Sequence, residues 1–167
     1  MTLRTGIRSN SGFTLIELSV VVLLIGLMML IAVPRVRDSL LNDGLQSASN
    51  HLVNRGDELR SDAIRNQVDY ILHLDLDNRR IYAYSADATP EALDTIRNRA
   101  YQLPDGVIVE DIFRFKEEKT TDGGFDIRFF RKGYVQPTVL HLAKKDRHRT
   151  LIFEPFLSRI RVYDDYR

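Results

Sequence analysis

Between Phe13 and Val33 the chain runs for 21 positions with one charged residue, Glu17. Residues 18 to 33 carry no charge, and only Ser19 and Gly26 among them are not plainly apolar. A helix of that length spans about 31 Å at roughly 1.5 Å per residue, matching a bilayer hydrocarbon core of about 30 Å. The residues ahead of it carry Arg4 and Arg8 and no acid. The positive-inside rule therefore predicts a cytoplasmic N-terminus, with the bulk of the chain across the membrane. A lone carboxylate inside such a run is costly unless paired, so Glu17 needs a reason.

Two ordinary accounts fall short. A cleaved secretory signal has a shorter apolar region and a small-residue cleavage site, of which Ala32-Val33-Pro34 is a poor version. A plain signal anchor explains the topology but leaves Glu17 as an acid near a helix end, reaching for the headgroups. The rest of the chain is polar enough to dissolve and long enough to bury a small core. Its formal net charge of +1 gives no general case for nucleic acid or an acidic partner. Cysteine is absent, which excludes disulfides, thiolate metal sites and cysteine nucleophiles.

Gly12-Phe13-Thr14-Leu15-Ile16-Glu17, followed by the apolar run and Pro34, resembles the class III signal of type IV pilins and type II secretion pseudopilins. That resemblance implies cleavage by a prepilin peptidase between Gly12 and Phe13, then N-methylation of Phe13. Residues 1–12 would be a cytoplasmic leader that is removed, and 13–34 a transmembrane and assembly helix. Cleavage leaves an ammonium at Phe13 beside the lipid, and Glu17 of a staggered neighbour is placed to neutralise it. The resemblance thus makes Glu17 an assembly residue.

Pro34 removes a backbone donor and crowds the preceding turn, which predicts a kink. Beyond it Val36, Leu40, Leu41, Leu45, Ala48, Leu52, Val53, Leu59, Ala63 and Ile64 recur at steps of three and four, one stripe of an amphipathic helix over 35–66. Gly44 and Gly56 weaken that helix locally. The period then becomes two: Tyr70, Leu72, Leu74 and Leu76 share one face, and a turn at Asp77-Asn78 leads to a second strand over 80–85. Thr89-Pro90-Glu91 predicts a short capped helix to about Arg99. Further strands are expected near 107–115, 125–130, 138–143, 150–154 and 159–163, joined at Gly123-Gly124, Lys132-Gly133 and the 144–149 loop.

The second half, with Phe129, Gly133, Pro155, Arg159 and Val162, is similar to the C-terminal strands of the H group of minor pseudopilins and to FimT-type minor pilins. Together these features predict an α+β, pilin-like fold: a long N-terminal helix packed on an antiparallel β-sheet or sandwich over 67–167, exposed to the periplasm. The resemblance implies a non-enzymatic minor pseudopilin near the tip of a type II secretion pseudopilus, in the bacterial inner membrane. Its implied partners are other pseudopilins, the prepilin peptidase, the inner-membrane secretion platform and membrane lipid. The alternative is a minor type IV pilin serving pilus assembly, adhesion or DNA uptake.

No catalytic constellation, phosphate-binding glycine loop or metal-ligand spacing is present, and no cofactor or metal is expected. His73 and His141 sit in strand patterns and are expected on wet faces. Asp75, Asp77 and Asn78 form an oxygen-rich group, read as a polar turn ahead of a calcium site. Lys144, Lys145, Arg147, His148 and Arg149 are the densest basic stretch, open to solvent, DNA phosphates, an acidic partner or lipid headgroups.

Overall fold

The computed structural model describes residues 14–156 and 159–167, with the side chains of 31–43 outside that description. The chain divides into two compact units, the boundary falling between Leu40 and Leu41. Helix α1, Leu15–Asn66, contributes to both. The helical assignment includes Pro34; the kink expected there falls on residues whose side chains are not described.

In the second unit the apolar stripe of α1 supplies Leu45, Ala48, Leu52, Leu59 and Ala63, all essentially inaccessible. Val53 is only partly buried and Ile64 is exposed, so the stripe is narrower than its sequence pattern predicts. Gly56 has a use beyond weakening the helix. A Cβ there would come within 2.5 Å of Ile160 Cδ1 and 3.6 Å of both Phe129 and Phe153, so the bare backbone lets the helix lie close to the core.

Eight strands and one short helix follow. They are β1 (Tyr70–Asp75), β2 (Arg80–Ser85), α2 (Pro90–Asn98), β3 (Tyr101–Gln102), β4 (Ile108–Phe113), β5 (Gly124–Phe129), β6 (Thr138–Lys144), β7 (Arg147–Phe153) and β8 (Arg161–Tyr163). They form two four-stranded sheets, ordered β3-β2-β1-β5 and β4-β6-β7-β8, with every pairing antiparallel. Strand β3 went unpredicted because two residues carry no periodicity. Thr89 caps α2 as expected, its Oγ1 accepting from the Ala92 amide, with proline in the first turn.

Register explains the core. Leu72 lies opposite Ala83 and Ile127, and Leu74 opposite Ile81 and Phe125, which puts the apolar set of the first sheet on one face. In the second sheet Leu140 lies between Ile112 and Leu151. These residues and the α1 stripe form a single apolar cluster. The basic loop expected over 144–149 is shorter than that: β7 already begins at Arg147, pairing with Lys144, so the turn is Lys145-Asp146 with Lys145 at φ 54°.

Candidate functional site

Large apolar side chains from Leu15 to Leu30 are exposed around the whole circumference of α1, from Leu15 at 85% to Val21 at 43%. A helix that packs on its own domain shows one apolar stripe, whereas this one is apolar on every side, as expected where lipid or neighbouring helices surround it. Among the described residues no helix is long and apolar enough to cross a membrane. The run predicted for that purpose, 13–33, extends beyond the described side chains at both ends.

Thr14 and Glu17 close the start of this helix reciprocally. The Glu17 amide donates to Thr14 Oγ1 at 3.3 Å, and the Thr14 amide donates to Glu17 Oε2 at 3.4 Å. This is a capping box, satisfying two of the amides that a helix start leaves without partners. The Glu17 side chain is solvent-exposed in the single chain and takes no cation among the described residues. Gly12 and Phe13, the expected cleavage and methylation positions, lie outside the described residues.

The other polar clusters are structural. Asp75 accepts from the Asn78 amide and side chain, and Asp77 accepts from the Gly123 amide, so the oxygen-rich group is occupied by its own turn. The hydrogen bonds from Asn78, aided by the charges of His73 and Arg80, outweigh the effect of burial and hold the Asp75 carboxyl below its ordinary range. Among the described residues no group of His, Asp and Glu has the geometry of a metal site. His73 is half-buried and pairs with Asp126 at 2.7 Å.

His141 corrects the expectation of a wet face, since it is fully buried. The segment after β8 covers that side of the second sheet, and Tyr166 stacks on the imidazole at 3.9 Å. His141 Nδ1 faces Asp111 Oδ1 at 2.7 Å and Nε2 faces the Arg167 main-chain oxygen at 2.7 Å. Tyr166 donates to Asp111 Oδ2 at 2.5 Å, and Lys119 reaches both that carboxylate and the tyrosine hydroxyl. Burial alone would raise the Asp111 carboxyl; hydrogen bonds from Tyr166 and His141, with the nearby His141 and Lys119 charges, hold it below its ordinary range instead. Both ring nitrogens of His141 are occupied, so the cluster ties β4, β6 and the segment after β8 together. Sequence reading missed Asp111, Lys119, Thr150 and Tyr166 because their partners are separated by up to 55 positions.

The basic stretch divides in two. His148 is taken by Glu110 at 2.8 Å and Arg149 by Asp164 at 2.5 Å. Lys144, Lys145 and Arg147 have no acidic partner among the described residues.

Residues 7–33 match the model of the prokaryotic N-terminal methylation motif. Among solved structures, one of the minor pseudopilin EpsH from the type 2 secretion system of Vibrio cholerae superposes with a TM-score of 0.56 at 18% identity, covering 72% of this chain and 95% of that one. A crystal structure of the same pseudopilin gives 0.56 at 15% identity, covering 75% and 96%. The fold is pilin-like. No curated protein sequence matches the chain.

Proposed function

We propose that this chain is a minor pseudopilin, a structural subunit near the tip of a type II secretion pseudopilus that serves protein export across the outer membrane. One observation carries the reading. A helix apolar on every side, bearing Glu17 within a methylation motif, is joined in one chain to a domain with the fold of a minor pseudopilin.

In this reading the peptidase removes 1–12 and methylates Phe13, residues 13–34 anchor the precursor in the inner membrane, and 67–167 lies in the periplasm. Glu17 then exchanges its contact with the Thr14 amide for the Phe13 ammonium of a neighbouring subunit. That gives the carboxylate an opposite charge where water is scarce. The apolar circumference of the helix leaves lipid for packing against other pseudopilin helices, with the secretion platform driving extraction.

Mass spectrometry of the membrane-extracted protein tests the processing step: the mature chain should begin with N-methylated Phe13. Deleting the gene and assaying secretion beside pilus-dependent motility tests the system. Loss of secretion with normal motility supports the pseudopilin reading; loss of motility alone replaces it with a minor type IV pilin.

A further inference from the structure

The turn joining β6 and β7 gathers three cations within four positions. Lys145 and Arg147 are exposed and Lys144 is half-exposed; none has an acidic partner among the described residues, and Asp146 is the only acid in the turn. Lys144 runs past two glycines. A Cβ at Gly44 would sit 2.9 Å from its Nζ, and one at Gly106 would sit 3.5 Å from its Cε. The charged turn is therefore fixed at the end of the domain where α1 enters it.

We propose that this turn binds anionic phospholipid headgroups of the membrane in which the chain is anchored, with Lys144, Lys145 and Arg147 on the phosphates. The inference rests on the membrane anchoring proposed above. Three features favour lipid over DNA or an acidic protein. Ten residues lie between Val33, the end of the apolar run, and Gly44; their eleven steps, even fully extended, reach no further than about 38 Å, so the tether keeps the turn near the bilayer. A compact group of exposed cations without acidic partners among the described residues is what anionic headgroups attract. The chain as a whole, at +1, has no broad basic footprint for a nucleic acid.

The full chain, reconstituted in discs of phosphatidylcholine alone or of equal parts phosphatidylcholine and phosphatidylglycerol, tests this with two photocrosslinking lipids. An acyl-chain crosslinker reports insertion through adducts on residues 15–30. A phosphatidylglycerol headgroup crosslinker should give adducts on the peptide covering 144–149, suppressed by high salt. The variant K144Q/K145Q/R147Q should lose them by roughly fivefold for each cation removed, whereas K144R/K145R should keep them. Insertion adducts without headgroup adducts on the turn overturn the inference alone. Headgroup adducts indifferent to the glutamine substitutions also overturn it, as does displacement from anionic discs by a duplex oligonucleotide. Absence of insertion adducts overturns the anchoring reading and this inference with it.

Discussion

His141 and Asp111 face each other at 2.7 Å, the imidazole fully buried and the carboxylate 7% exposed. The second imidazole nitrogen meets the Arg167 main-chain oxygen, so the pair connects β4, β6 and the segment after β8. Asp111→Asn leaves that imidazole without its carboxylate in a buried site, and should cost about 3–5 kcal/mol in urea unfolding of the domain. The pH dependence has a definite sign. Because the folded carboxyl is held below its ordinary range, its contribution is complete above the unfolded value of about 3.9 and fades as pH falls through the folded one. The acid limb of the stability curve should flatten in Asp111→Asn.

Tyr166→Phe keeps the ring on His141 but deletes the hydroxyl that donates to Asp111. Losing a hydrogen bond to a charged group should cost about 1.5–3 kcal/mol. Hydrogen exchange should show the change concentrated at the Arg167 amide, which donates to Thr150 Oγ1, and across the β7–β8 pairing.

Ser49 is fully buried on α1 and its hydroxyl finds no partner among the described residues. Ser49→Ala removes that unpaired group and adds helix propensity, so it should stabilise the domain by about 1–2 kcal/mol. A shift of the urea midpoint upward with an unchanged slope is the expected result.

Gly133 sits at φ 89° in the turn after β5, and a Cβ there would lie 3.2 Å from Ile64 Cδ1. Gly133→Ala meets both an unfavourable backbone region and a close neighbour, and should lower stability by about 1–2 kcal/mol. Thermal unfolding of the two proteins side by side would measure it.

Glu17 serves the helix start through its oxygen and, in the proposed filament, a neighbour through its charge. Glu17→Gln separates these, because glutamine still completes a capping box. Insertion and processing should be unchanged while the amount recovered in sheared filaments falls at least tenfold, equivalent to about 1.4 kcal/mol per contact.

The sequence made some features legible and hid others for definite reasons. The β1–β2 hairpin with its turn and the Thr89 cap each depend on neighbours within a few positions and lie where the pattern predicts, whereas the α1 stripe holds at Leu45, Ala48, Leu52, Leu59 and Ala63, fails at Ile64, and at Val36, Leu40 and Leu41 falls outside the described side chains. Gly56 reads as a weak point of a helix until Ile160, more than a hundred positions away, is seen against it. His141 looked wet because alternation describes one sheet face and cannot report what a later segment lays over it. Within the functional region, Glu17 stood out as an isolated charge, whereas its reciprocal contact with Thr14 needed coordinates.

Leu45, Ala48 and Leu52 are as deeply enclosed as any residue of the sheets, although they belong to the same helix as the exposed apolar run. Anyone trimming the protein for crystallisation must therefore cut upstream of Gly44. A protease that clips the stalk farther along would release a domain missing its own keel, and the two sheets would come apart instead of being shed intact.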